Sequence, residues 1–303
     1  MTTLPYRDFN SALRERFGCR VQKITLDAGL TCPNRDGALG TAGCIYCNER
    51  GSGTGAASRL SISDQIRAAK QYLSRRYKAR AFIAYFQSFS NTYAPLPVLR
   101  SLYEEALSDP DMVGLSIGTR PDCAADAVLD LLAGYCGERW IWLEYGLQSA
   151  HDETLLRIGR GHSVAQFADA VRRTRSRGLS VCAHVILGLP GEGREEMLAT
   201  ARYIADSGIQ AVKIHLLYVI RGTVLDAWHS IGRYRCLTRD EYVSLVAEFL
   251  TLLPKEMIVQ RLTGDPHCDE LVAPAWALEK RENIEAIQSF MAARGLYQGK
   301  ARS

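Results

Sequence analysis

The feature that most constrains the fold is a regular alternation of short apolar runs with longer amphipathic runs. Apolar runs of strand length recur six times within the first 220 residues, and runs with helical periodicity follow them. Repeated strand–helix units predict one parallel sheet covered by helices. The predicted strands are residues 21–28, 81–86, 113–119, 140–146, 180–187 and 211–219, and the predicted helices are residues 61–77, 96–107, 124–135, 163–177 and 194–206.

Two architectures accommodate six such units, a doubly wound open sheet and an incomplete (β/α) barrel. A full eight-stranded barrel would need two more units, and the cysteine loop after the first strand favours a partial (β/α)6 barrel. The alternation stops after Ile220. We therefore expect a core over residues 1–220 and a C-terminal extension, residues 221–303, packed on the barrel. The extension contains a predicted helix at 239–252, a strand at 257–262 and a terminal helix at 278–294.

Three cysteines follow the first predicted strand, within a loop spanning residues 29–50. Cys32, Cys44 and Cys47 have no histidine and no fourth cysteine near them in the sequence. Structural zinc takes four protein ligands, and an electron-transfer 4Fe-4S cluster takes four thiolates. Three thiolates therefore favour a 4Fe-4S cluster that keeps one iron open to another ligand.

Two other uses of these cysteines stay open at this point. A zinc ion could be held if the distant His267 or Cys268 completed the site. The Cys-x2-Cys pair could also be a thioredoxin-like redox pair, although such a pair normally opens a helix. Here the run that follows, residues 48–58, is polar and rich in Gly, Ser and Thr.

Composition sets limits on the class of protein. The chain has 303 residues, of which 47% are hydrophobic and 23% charged, so it can bury a large core. Its N-terminal residues lack a signal-peptide core, and no apolar run reaches membrane-spanning length. We expect a cytoplasmic protein whose nine cysteines serve as thiols and metal ligands rather than as disulfides. A formal net charge of +4 is too small to establish nucleic-acid binding.

Several motifs taken together resemble a known family. The cysteine loop and the Gly-Leu-Pro-Gly turn after the fifth strand resemble radical S-adenosylmethionine (SAM) enzymes, specifically the bacterial YhcC/YtqA type, over residues 5–275. The family's usual spacing is Cys-x3-Cys-x2-Cys, whereas the first gap here is longer. The matching motifs are TLDAG (25–29), TCPNRDG (31–37), RGH (160–162) and HVILGLPGEG (184–193), while IGTRPD (117–122) and EYGLQS (144–149) resemble the radical SAM domain of the Elongator catalytic subunit.

The resemblance implies a partial TIM barrel, a 4Fe-4S cluster on the three cysteines and SAM bound at the open iron. In the family, SAM yields a 5′-deoxyadenosyl radical that abstracts hydrogen from the substrate. The residues that match SAM-contacting positions of the family are Gln87, Ser88, Ser90 and Asn91 for the amino group, Gln148, Arg160 and His184 for the ribose and carboxylate, and Gly188 and Gly191 for the adenine. His184 has a second interpretation as a core histidine.

The resemblance also implies a substrate. One branch of this type forms the aminomethyl group at carbon 5 of wobble uridine in tRNA from a carboxymethylaminomethyl group. An electron donor such as flavodoxin or ferredoxin would supply electrons to the cluster. Basic and aromatic residues around and after the sixth strand could hold tRNA, namely Lys213, Tyr218, Arg221, Arg233 and Arg235. Alternatively, Tyr218 and His215 pack under the C-terminal segment. Other functional interpretations are a radical SAM enzyme for a small metabolite or protein, and a non-catalytic iron-sulfur sensor or RNA-binding module.

Overall fold

A curled parallel sheet organises the protein. The computed structural model describes residues 4–51 and 60–302, so most of the polar run 48–58 lies outside the described residues. Seven strands pair in the order β1-β2-β3-β4-β5-β6-β8, with every pair parallel, and they form a half-barrel. This confirms the predicted α/β partial barrel. The strands are β1 Val21–Leu26, β2 Ala81–Phe86, β3 Met112–Thr119, β4 Trp140–Gln148, β5 Ser180–Leu187, β6 Ala211–Leu216, β7 Val219–Ile220, β8 Ile258–Arg261 and β9 Leu271–Ala273.

Helices cover the outer face of this sheet. The α2 helix packs on β1, α3 on β3, α6 on β4 and β5, and α7 on β5, while α9 packs against α7 and α10. Ser163 and Thr238 begin α6 and α9 with capping boxes, which satisfy backbone N–H groups that a helix start leaves unpaired. The helices are α1 Phe9–Phe17, α2 Ile62–Tyr77, α3 Leu96–Leu107, α4 Asp126–Ala133, α5 Asp152–Arg157, α6 Val164–Arg175, α7 Arg194–Asp206, α8 Val224–Ser230, α9 Arg239–Thr251 and α10 Lys280–Ala293.

The two faces of the sheet bury different side chains. In β4, Leu143 and Tyr145 join the apolar core beneath the helices. Glu144 and Gly146, which alternate with them, face the interior of the half-barrel. This period-two pattern was hidden in the sequence because nearly every position of β4 is buried, as expected when both faces of a parallel sheet are covered.

The amino-terminal end of the half-barrel is closed by α1. This helix contacts β1 and β8, which are the two edges of the sheet. Phe9 stacks on Trp140 with ring centroids 6.4 Å apart, and Ala12 packs with Trp142 in a small apolar cluster. These contacts shield this end of the interior from solvent, and the interior opens toward the carboxyl ends of the strands.

The C-terminal segment contributes more than the sequence indicated. The strand predicted at 257–262 exists as β8, and it pairs with β6 as the seventh strand of the sheet. Residues after β6 also form the short antiparallel pair β7–β9, which lies apart from the main sheet. Helices α1, α5 and α8 were not predicted, and a separate 3-10 turn, Pro121–Cys123, precedes the helix predicted at 124–135. None of the helices in the described ranges has both the length and the hydropathy needed to cross a bilayer.

Close packing between β3 and β4 makes Gly114 sensitive to substitution. A Cβ atom at Gly114 would lie 2.2 Å from the carbonyl oxygen of Trp140, its partner in the ladder. Because backbone must move to relieve this clash, Gly114→Ala should lower the free energy of unfolding by about 1–3 kcal/mol in urea denaturation. The control is Gly40→Ala, where the new Cβ meets its nearest atom at 3.8 Å. Equal stability of the two variants would contradict this account of the packing.

Candidate active site

A cavity of about 650 Å³ opens at the carboxyl ends of the strands, where both predicted architectures place chemistry. Its wall combines the cysteine loop with the ends of β2 to β6 and with β8. The volume lies within the range of cavities that bind small ligands. Cys32, Cys44 and Cys47 all line it, so the structure brings the three predicted metal ligands to one cavity.

Asn34 and Arg35 fix the path of the cysteine loop. The Asn34 side chain donates to the carbonyl of Gly159 at 2.8 Å, which ties the loop to the turn after α5. Arg35 donates to the carbonyl of Cys47 at 3.1 Å. The backbone around Cys32 forms a turn, since its carbonyl accepts from Arg35 N at 2.8 Å. These contacts give the long stretch between the first two cysteines a defined conformation.

The thiol of Cys44 lies in an electropositive setting. Asn34 Nδ2 and Arg160 Nη1 each donate to its Sγ at 3.7 Å. A hydrogen bond from Cys47 lowers the pKa of Cys44 well below its usual range, and Arg160 adds to this effect although burial opposes it. A thiolate is the form of cysteine that binds metals, so this environment suits metal ligation.

The grouping of possible ligand atoms bears on the choice between a cluster and a single zinc ion. A tetrahedral zinc ion with Zn–S bonds of about 2.3 Å holds its sulfurs about 3.8 Å apart. In the part of the chain that the structure describes, no group of three ligand atoms within 4.8 Å of one another includes these cysteines. His267, one of the two predicted fourth zinc ligands, lines the same cavity as the thiols, but it groups with Cys268 and Asp269 among exposed side chains. The donor set of three thiols facing an open cavity fits a 4Fe-4S cluster.

The predicted SAM contacts divide into two groups. Gln87, Ser90, Gln148, Arg160 and His184 line the cavity. The remaining four lie outside its lining. Among these, Asn91 donates to the backbone carbonyls of Ser88 and Gly118, the Gly188 carbonyl accepts from the hydroxyl of Tyr234, and Gly191 packs against Arg157.

Unusual backbone conformations occur around the first group, the predicted SAM contacts that line the cavity. Phe89 and Gln148 both have positive φ angles, 62° and 74°, which are rare for residues with a side chain and recur at functional sites. Gln148 Oε1 is buried without a hydrogen-bond partner among the described residues. A Cβ at Gly146 would lie 2.3 Å from Arg160 Nη2, so only glycine leaves room for this guanidinium. The wall thus offers an unused acceptor and a fixed arginine, which fit the ammonium, hydroxyl and carboxylate groups of SAM.

A buried carboxylate occupies the inner end of the cavity. Glu144 accepts hydrogen bonds from Lys23, Lys213, Ser116 and His184, the last at 2.9 Å. Burial would raise the pKa of Glu144, but Lys213 and Lys23 outweigh it and hold that pKa well below the usual range. The carboxylate therefore stays ionised and anchors the surrounding cations.

Burial also shifts the pKa values of His184 and Lys213, which contact Glu144. Burial lowers the pKa of His184 to about 4, so the imidazole is neutral near pH 7. Burial also lowers the pKa of Lys213 to about 7, although Glu144 opposes this change. The ammonium of Lys213 lies 4.0 Å from the centroid of the Tyr85 ring. Lys213 Nζ can therefore hold or release a proton near neutral pH.

The predicted substrate residues do not form one continuous surface. Lys213 is buried inside the cavity on Glu144, and Tyr218 lines the cavity wall. Arg221, Arg233 and Arg235 are exposed beyond β6. Lys213 thus faces the interior, whereas the three arginines face solvent.

The cavity residues that were not predicted include Tyr85, Arg120, Glu144 and Arg261. Glu144 carried a usable signal, because a charge inside the apolar run 140–148 needs a buried partner. Arg120 is buried and forms a bidentate pair with Asp122, at 2.9 and 2.7 Å, next to a proline turn. Arg261 had no local signal, since only the pairing of β8 with β6 places it at the cavity.

Comparison with known proteins places this geometry in a family. The Radical SAM superfamily model matches residues 32–204, starting at Cys32, and the Radical_SAM C-terminal domain model matches residues 209–293. The chain belongs to the radical SAM superfamily. This confirms the predicted family, and the predicted cofactors, a 4Fe-4S cluster and SAM, are those of radical SAM enzymes.

Individual relatives agree with this assignment. The chain is 42% identical to YtqA of Bacillus subtilis, covering 97% of this chain and 92% of YtqA, and 38% identical to YhcC of Escherichia coli K12, covering 97% and 94%. A tRNA uridine(34) acetyltransferase of Dehalococcoides mccartyi is 31% identical over 156 residues, 50% of this chain and 33% of that protein. The archaeal Elp3 of Methanocaldococcus infernus has a similar fold, with a TM-score of 0.69 at 19% identity, covering 92% of this chain and 64% of that one.

The cluster ligands can be tested one at a time. Cys32→Ala, Cys44→Ala or Cys47→Ala should each prevent stable cluster assembly, because two thiolates cannot replace three. Iron content and iron-dependent visible absorbance after anaerobic reconstitution measure this loss. Cys136→Ala is the control, since Cys136 packs against the apolar core away from the cavity. A full complement of iron in any of the first three variants would exclude that cysteine as a ligand.

His184 should make stability depend on pH. The unfolded chain takes up a proton at this imidazole below about pH 6.5, whereas burial delays protonation in the folded protein until about pH 4. The free energy of unfolding therefore falls as the pH drops through this window. His184→Gln should reduce that fall, measured by urea denaturation of cluster-free protein at pH 7 and pH 5, with exposed His267→Gln as the control. An unchanged fall in His184→Gln would refute the linkage.

Proposed function

We propose that this radical SAM enzyme modifies wobble uridine in tRNA, converting the carboxymethylaminomethyl group at carbon 5 to an aminomethyl group. The bond between nitrogen and the carboxymethyl carbon would break with addition of one water, and the two-carbon unit would leave as glyoxylate. Of the two hydrogens lost, one would pass to the 5′-deoxyadenosyl radical and the other would leave as a proton and an electron, the electron returning to the cluster. The observation that carries the proposal is the similarity of half of the chain to an enzyme named for acting on uridine 34 of tRNA. The cavity supports it, because it combines three thiols with buried polar groups at one barrel mouth.

Each part of the cavity has a role in this proposal. Cys32, Cys44 and Cys47 would hold the cluster, and Arg160 and Gln148 would orient SAM. When bound, cluster and SAM supply a 5′-deoxyadenosyl radical, with an electron from a donor such as flavodoxin or ferredoxin. The closed end formed by α1 excludes water, which protects a reactive site from side reactions. Lys213 Nζ holds a proton near the substrate at neutral pH.

An exposed surface beyond β6 suits RNA. The Arg233 guanidinium lies 4.3 Å from the centroid of the Trp228 ring, which leaves a cation and an aromatic face together at the surface. Arg221 is exposed at the turn after β7. We assign phosphate contact to Arg221 and Arg233, and base contact to Tyr218 at the cavity wall. Arg235 is engaged by Glu241 at 3.0 and 2.9 Å, so its charge is already balanced in the free protein.

Nucleoside analysis of tRNA tests the reaction. A strain lacking the gene should accumulate carboxymethylaminomethyluridine and lose the aminomethyl form, and the purified enzyme should reverse this when supplied with SAM and a reductant. Cys44→Ala is the matched inactive control. Unchanged tRNA nucleosides in the deletion strain, together with SAM cleavage by the purified enzyme, would favour a small metabolite or a protein as substrate.

Charge removal tests the RNA surface. Arg221→Gln and Arg233→Gln should each weaken tRNA binding severalfold and reduce its dependence on salt, because each removes one phosphate contact. Filter binding at several salt concentrations measures both quantities. The matched control is Arg75→Gln, an exposed arginine in the last turn of α2, which lies at the other end of the strands. Binding equal to that of the parent at every salt concentration would place the RNA elsewhere.

A further inference from the structure

One cation in the cavity wall has no hydrogen-bond or ion-pair partner among the described residues. The other basic side chains that line the cavity are all engaged, Arg35 by backbone carbonyls, Arg50 by Glu270, Arg120 by Asp122, Arg160 by the Gly146 carbonyl and Lys213 by Glu144. Within residues 4–51 and 60–302, the Arg261 guanidinium has no hydrogen bond and no ion pair. An arginine left unpaired in a cavity is available to a ligand.

A second polar atom without a partner among the described residues lies beside it. His215 lines the same cavity, and its Nε2 is buried without a hydrogen-bond partner among the described residues. The two residues lie on adjacent strands, since β6 pairs with β8 and Lys213 lies opposite Arg261. The His215 ring is 5.2 Å from the His184 ring, measured between centroids. Buried polar atoms are normally satisfied, so the unpaired His215 Nε2 beside the half-buried Arg261 indicates a missing ligand.

The charge balance of this wall defines the ligand. Glu144 is already paired with Lys23 and Lys213, so it does not balance the charge of Arg261. The carboxylates at the rim cannot neutralise Arg261, because Asp265 pairs with Lys280 at 2.6 Å and Glu270 pairs with Arg50 at 3.0 Å. An anionic group suits this wall, and a planar guanidinium binds a carboxylate through two parallel hydrogen bonds.

We propose that Arg261 and His215 bind a carboxylate group carried by the substrate. This inference rests on the proposed function, in which the substrate side chain ends in a carboxymethyl group and the product side chain does not. SAM also carries a carboxylate, on its methionine part. That carboxylate is assigned to Arg160, which donates to the thiol of Cys44 in the cysteine loop. Arg261 thereby distinguishes substrate from product, while Arg160 serves the cofactor.

Binding to two tRNAs tests the subsite. The cluster-loaded enzyme with SAM should bind tRNA with the carboxymethylaminomethyl group about tenfold more tightly than tRNA with the aminomethyl group, the factor expected for one charge-assisted hydrogen bond. Arg261→Gln should remove this preference, and its affinity for SAM should change less than twofold. Arg281→Gln, an exposed arginine on α10, is the matched control. An intact preference in Arg261→Gln would overturn the proposal, and a tenfold loss of SAM affinity would assign Arg261 to the cofactor.

Binding of a small anion tests the carboxylate subsite independently of the proposed tRNA substrate. Acetate should raise the melting temperature of the parent and of Arg281→Gln above that in chloride at equal ionic strength, because binding to the folded state stabilises it. Arg261→Gln should show no such difference. If Arg261→Gln folds poorly, His215→Phe gives the same test. If the parent does not distinguish the two tRNAs but acetate protection depends on Arg261, the tRNA substrate is wrong and the carboxylate subsite stands. Equal protection of parent and Arg261→Gln would overturn the subsite.

Discussion

The carboxylate of Glu144 is the interaction on which the geometry of the half-barrel depends. It joins Lys23 of β1 to Lys213 of β6 through one side chain on β4. Strands in a sheet lie about 4.8 Å apart, so β1 and β6, separated by five such steps, would be about 24 Å apart in a flat sheet. Two lysine side chains cannot span that distance. The shared ion pair therefore requires the sheet to curl, and the curl creates the cavity.

This ionic layer separates two regions of different character. Below it, α1 and the tryptophans of β4 form an apolar plug. Above it, the cavity opens between the strand ends and the cysteine loop. Removing one member would leave a buried charge unpaired, which is more costly than the pair itself is stabilising. Exclusion of water from the closed end also strengthens every electrostatic interaction that a bound ligand makes there.

Two walls of the cavity carry arginines that differ in their hydrogen bonding. On the wall formed by the cysteine loop and β4, Arg160 donates both to the thiol of Cys44 and to the Gly146 carbonyl, so its position is fixed before any ligand arrives. On the wall formed by β6 and β8, Arg261 has no partner among the residues described. A fixed cation suits a resident cofactor, whereas an unpaired cation suits a group that arrives with the substrate.

The sequence by itself determined most strands and helices of the half-barrel and its cysteine loop. Helical and strand periodicities are local, so six strands and their covering helices could be predicted, and three cysteines without a fourth ligand indicated an open iron. The partners of Glu144 and the place of β8 were decided only by the tertiary structure. Lys213 is 69 residues from Glu144 along the chain, and Lys23 is 121 residues away. Contacts at such separations arise from the curl of the sheet, which no local pattern of residues encodes.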